Sequence, residues 1–148
     1  MIFDNTLLFS KAQAITADAA STNLIDLRAL GTPYGHAAAL LRDLGIGNKI
    51  PLLCQVVQAF NTLTSLEFQL QGSIDEAFTS PVVISRSGQV LLAQLTVGAQ
   101  FTLDFIPRGA SYRYLRMFYD VTGTAPTLGQ ITAGIVAAVQ PSGPGPYA

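Results

Sequence analysis

Hydrophobic and polar positions alternate with a period of two through most of the chain after residue 50, and a β-strand sends alternate side chains to opposite faces. The alternation is clearest over 112–123. Leu115, Met117, Tyr119 and Val121 line one face with the character of a core, while Tyr112, Tyr114, Arg116, Phe118 and Asp120 line the other. Aromatic and charged residues mixed on one face suit a contact better than plain solvation, because Tyr and Arg combine large area with directional polar groups. Leu66, Phe68 and Leu70 alternate with Glu67, Gln69 and Gln71, which predicts a half-buried strand with a wet side. Phe101, Leu103 and Phe105 alternate with Thr102 and Asp104 in the same way. The apolar stretch 52–60 predicts a strand covered on much of both faces. Strands are also expected at 81–84 and 91–95, joined by a hairpin turn at Arg86-Ser87-Gly88, and at 131–139.

Ahead of residue 50 the pattern weakens. Residues 1–21 predict an extended N-terminal arm: Leu7, Leu8 and Phe9 are apolar, but 17–21 neither alternate nor carry a helix cap. A short strand is expected at 22–27 and a Gly-rich loop at 31–35. The helix propensity of 37–41 predicts a short helix over 36–44 that stops at Gly45. Three prolines and two glycines in 141–148 cannot pair within a sheet, so an extended Pro/Gly-rich C-terminal tail is expected. The resulting plan is an arm (1–21), a sandwich domain (22–140) and a tail (141–148). About eight short strands without a long amphipathic helix predict an all-β fold, an antiparallel β-sandwich of jelly-roll type. In that topology 101–106 and 112–121 fall in opposite sheets, with 50–60 expected beside 112–121 and 64–71 beside 101–106. A plain meander would instead set Asp104 against Arg116 across a hairpin.

Composition changes this picture at one point. Of the 148 residues 49% are hydrophobic, enough for a core, but only 11% are charged, against about 25% in typical soluble domains. Lys and Glu are depleted in the cores of interfaces, so either the surface is simply neutral, as in many all-β proteins, or much of it lies against neighbouring subunits. The net charge of −1 gives no basic face for nucleic acid; Arg108, Arg113 and Arg116 are the one local cluster. Cys54 has no partner thiol, and its neighbours Leu52 and Val56 predict burial. The N-terminus lacks the pattern of a signal peptide and the apolar run 134–139 is too short for a membrane span. A soluble protein made in the cytoplasm is expected.

No catalytic constellation stands out. His36 is the single histidine, so a multi-imidazole metal site cannot form and a Ser-His-Asp triad would depend on one loop residue. Asp75 and Glu76 point apart on an extended chain, and nothing in the sequence brings Asp104 to Asp120. Gly45-Ile46-Gly47-Asn48-Lys49 lacks the ending of a phosphate loop. Tyr112 and Tyr114 keep a carbohydrate-binding face open in a chain without Trp. The residues singled out are therefore contact residues: Tyr112, Tyr114, Arg116 and Phe118 on the strand, covered either by a partner or by the chain's own arm, and Leu7, Leu8 and Phe9 on an arm that either lies across the domain or reaches a neighbour. No enzyme, cofactor or metal is expected.

The sequence resembles the jelly-roll capsid cement, or decoration, proteins of short-tailed bacteriophages. Four stretches carry the resemblance in order. They are Phe9-Ser10-Lys11-Ala12-Gln13-Ala14-Ile15-Thr16 followed by Ser21-Thr22-Asn23-Leu24-Ile25-Asp26-Leu27; Thr64-Ser65-Leu66-Glu67-Phe68-Gln69-Leu70-Gln71-Gly72-Ser73; Arg113-Tyr114-Leu115-Arg116-Met117-Phe118-Tyr119-Asp120-Val121-Thr122-Gly123; and Pro126-Thr127-Leu128-Gly129-Gln130-Ile131-Thr132-Ala133. The resemblance implies a structural virion protein on the outer capsid surface that bridges subunits of the major capsid protein. It also implies a small homo-oligomer, dimer or trimer, with no enzymatic activity. The alternative is a carbohydrate- or receptor-binding jelly-roll module of a phage fibre or cell surface.

Overall fold

Strand order decides the architecture. The computed structural model describes residues 3–28, 30–40, 50–103 and 111–139. Nine strands are present among them: β1 (Leu8–Ala14), β2 (Ala19–Ala20), β3 (Ile25–Asp26), β4 (Leu52–Gln58), β5 (Leu63–Ser73), β6 (Val82–Leu91), β7 (Gln100–Leu103), β8 (Tyr114–Gly123) and β9 (Gln130–Ile135). One antiparallel sheet runs β1-β9-β4-β7 and the other β2-β8-β5-β6, with β3 also on β8. β2 and β3 share one edge of β8, through Ala20↔Phe118 and Ile25↔Leu115, and act as a single broken edge strand. Counted so, the described residues hold eight strands in nested pairs: β1 with β9, β2/β3 with β8, β4 with β7 and β5 with β6. That is the jelly roll, and it places β7 and β8 in opposite sheets as predicted.

The sheets close on a shared core. Leu66, Phe68 and Leu70 of β5 face the same side as Val121, Tyr119 and Met117 of β8, their register partners. Phe68 stacks on Phe101 of the opposite sheet at 5.4 Å between centroids and meets Tyr119 edge-on at 6.1 Å. The Tyr119 hydroxyl lies 2.7 Å from Ser10 Oγ on β1. Ser10 donates its own proton to Gln13 Oε1, so Tyr119 donates to Ser10, and burial drives the phenol pKa well above its usual range. A buried tyrosine needs such a partner for its hydroxyl.

Five expectations require correction. The neighbours of the two central strands are exchanged: β8 pairs with β5, and β4 pairs with β7 and β9. Nesting causes this, because β4 and β5 are successive strands that belong to opposite sheets. Residues 1–21 are not an arm, since they contain β1 and β2, and Phe9 and Ile15 lie in the core. Two register shifts in the β1–β9 ladder and a left-handed Ala12 (φ 47°) break the period of two that would have revealed the strand. Arg86-Ser87-Gly88 is a bulge within β6, not a hairpin turn. Gly88 takes φ +75° there, the register slips by one residue, and Ser87 Oγ accepts the Phe68 N–H at 3.0 Å. Residues 92–94 form a 3₁₀ turn, not strand. Residues 36–40 are not helical; 41–49, the stretch 104–110 and the tail 141–148 lie outside the described residues.

Tyr119→Phe keeps the ring and removes the donor to Ser10, and should lower stability by about 1 kcal/mol in urea unfolding. Gly129 sits at φ +136° where a Cβ would run into the Phe60 ring, so Gly129→Ala should cost about 1–3 kcal/mol in the same measurement.

Candidate contact surface

Alternation on β5 and β8 sends a second set of side chains away from the core. Glu67, Gln69, Gln71 and Ser73 are the register partners of Asp120, Phe118, Arg116 and Tyr114. Hydrogen bonds run along this face. Gln69 Nε2 donates to Glu67 Oε2 at 2.7 Å and to Asp120 Oδ2 at 3.3 Å. Gln71 Nε2 donates to Gln69 Oε1 at 3.3 Å, and Arg116 Nε donates to Gln71 Oε1 at 2.9 Å. A cation is thereby joined to two carboxylates through two amides whose dipoles point the same way. Gln69 and Gln71 are buried even though they face away from the core.

The β5–β6 connection supplies part of the cover. Asp75 organises it, accepting from Ser73 Oγ at 3.2 Å and from the Thr79 N–H at 3.3 Å. Within this turn Phe78 adopts φ 52°, a left-handed conformation that is an outlier for an aromatic residue. Its buried ring lies 4.2 Å from the Arg116 guanidinium carbon, with Phe118 at 5.8 Å on the same cation. Burial lowers the pKa of Arg116. Asp75 thus organises the turn that carries Phe78.

The predicted contact residues divide. Arg116 and Phe118 are half-buried on the outward face, as read from the sequence. Tyr114 is on that face but only 8% exposed, with Arg113 4.8 Å over its ring and Arg113 paired to Asp26 at 3.0 Å through Nε and Nη2. Tyr112 precedes β8, and the parity of the strand does not extend to it. Its Cδ2 is 2.6 Å from where a Cβ of Gly72 would stand, beside Ile84, on the side of Gly72's core-facing partner Leu115. The two tyrosines therefore form no common sugar-stacking platform. Leu8 and Phe9 are buried in the chain's own fold and are withdrawn as contacts, whereas Leu7 is half-buried in a 3₁₀ turn.

Other surface features were not singled out from the sequence. Tyr34 is fully exposed, and Leu30, Leu40 and Ile74 are exposed as well. Leu40 N–H donates to Gly31 C=O at 3.0 Å and closes the loop that carries Tyr34. These side chains lie on the β3–β4 and β5–β6 connections. Both leave from one end of the sandwich, because Asp26 and Ser73 are both partners of Tyr114. The signal was present as apolar residues in a Gly/Pro loop, where exposure, not chemistry, distinguishes them. Among the described residues no group of three His, Cys, Asp or Glu could hold a metal. Cys54 is buried, and burial pushes its thiol pKa up.

A family model, Bbp16, matches residues 9–138. No curated protein matches the chain.

The Arg113 hydrogen bonds hold the Asp26 carboxyl down from 3.8 to about 2. A depressed carboxylate contributes stability above its unfolded pKa and loses it as pH falls through the folded value. The melting temperature of Asp26→Asn should therefore lie below that of the wild type at pH 6, and the gap should close between pH 3.8 and about 2. With the two side chains 28% and 39% exposed, the gap is expected to be small.

Proposed function

The chain belongs to the Bbp16 family, and on that footing we propose that it is a structural virion protein. It binds the outer surface of a phage capsid and stabilises it by bridging subunits of the major capsid protein, as a small homo-oligomer and without catalysis. The observation that carries this reading is the set of large apolar side chains held in water on the connections at one end: Leu30, Tyr34, Leu40 and Ile74. Such side chains gain free energy only when something covers them. The low charged fraction, 11%, suits a surface that becomes buried. A bridging protein works by summing burial at each junction, and a standard junction of about 1,200–2,000 Å² repeats with the symmetry of the shell.

Purified protein added to particles assembled without it should bind to saturation and raise the temperature at which they release DNA. Failure to bind overturns the proposal. Tyr34→Ala should weaken binding by about tenfold or more and leave the melting temperature of the free protein unchanged, since the side chain touches little of its own fold. Binding of wild-type protein to a glycan array, with none to particles, would replace this reading by that of a carbohydrate-binding module.

A further inference from the structure

Arg116 is a cation held ready but not neutralised. Its Nε is committed to Gln71 and its plane lies near the rings of Phe78 and Phe118. Among the described residues Arg86 pairs with Glu67 and Arg113 with Asp26, and neither pair involves Arg116. Its terminal nitrogens are not sealed from water, because no buried side-chain nitrogen lacks a partner. The carboxylates on the same face, Glu67 and Asp120, are already engaged by Gln69 and form a register pair four pairs along the strands from Arg116 and Gln71. A half-buried charge without a counter-ion is a cost the fold carries. Here the fold adds a further cost by setting Phe78 in a left-handed conformation beside it.

We propose that Arg116 is an anchoring site for a carboxylate side chain of the partner protein, received by the open Nη1/Nη2 edge of the guanidinium. This deepens the capsid-binding reading and rests on it for the partner's identity. Arginine takes carboxylates in a bidentate fork, and its weak hydration makes it the cation best suited to an interface. Restraint by Gln71 and the flanking rings lowers the conformational entropy lost on binding. A single carboxylate fits better than a polyanion, because the net charge is −1 and, among the described residues, no stripe of basic residues continues the site.

The first test needs no partner. An acidic hexapeptide of Glu and Gly, titrated into wild-type protein, should shift the Arg116 side-chain NMR signals saturably while those of the exposed Arg86 respond weakly and linearly. No shift at Arg116, or an equal response at both arginines, overturns the proposal. Tighter saturation by a short oligonucleotide overturns the carboxylate as the ligand chemistry. The second test uses particles. Arg116→Gln should weaken binding by about ten- to a hundredfold, and Arg116→Lys should recover only part of it, with near-UV circular dichroism showing all three proteins folded. Wild-type binding with an undiminished Arg116→Gln overturns the anchor and leaves the capsid reading standing. Absence of wild-type binding removes the capsid reading, and the peptide titration still decides the anchor.

Discussion

The pairing of β5 with β8 is the constraint on which the other features depend. Nine consecutive pairs, from Ser65↔Thr122 to Ser73↔Tyr114, keep one unbroken register. Since side chains alternate, a slip of one residue would set the core face of one strand against the outward face of the other. The register therefore fixes two surfaces at once. Inward it delivers Phe68 and Tyr119 to each other, to Phe101 of the facing sheet and to Ser10 of β1. Outward it aligns Glu67, Gln69, Gln71 and Arg116 into a row of hydrogen bonds. The core holds the register, and the register holds the row.

What could be read from the sequence follows from where period two survives. It survives in β5 and β8, so the jelly-roll class, the core face of β8 and the outward placement of Arg116 and Phe118 were all legible. It fails in β1, where bulges hide Phe9 and Ile15 inside what reads as an arm. It fails before β8, where Tyr112 no longer shares the parity of Tyr114. Strand neighbours were misassigned because alternation tells which residues share a face and says nothing about which strand lies alongside. The part played by Phe78 was invisible for another reason: a left-handed aromatic in a turn depends on Asp75 and Thr79 hydrogen bonds that no pattern of hydrophobicity encodes.

The outward row shows how one face can be largely buried and still polar. Gln69 and Gln71 are satisfied by one another and by charged groups at either end, so their burial leaves no unpaired amide. Two amides also keep the Arg116 charge from the carboxylates of its own face. The jelly roll brings the β3–β4 and β5–β6 connections to the Tyr114 end of the sheet, and exposed apolar side chains accompany them there. The opposite end is closed differently. Asn61 bonds Thr127 and Leu128, Ile15 bonds Gly129, and Phe60 bonds Leu95. Hydrogen bonds thus tie the loops of this end to one another, although Leu91 and Leu128 are exposed there, whereas the Tyr114 end carries the most exposed large hydrophobic side chains, Tyr34 and Ile74.

Hydrogen–deuterium exchange on free and particle-bound protein tests that division most directly. Protection on binding is expected over 30–40 and 74–80, the connections at the Tyr114 end, with 59–62 and 124–129 unchanged. Protection confined to 59–62 and 124–129 would contradict it.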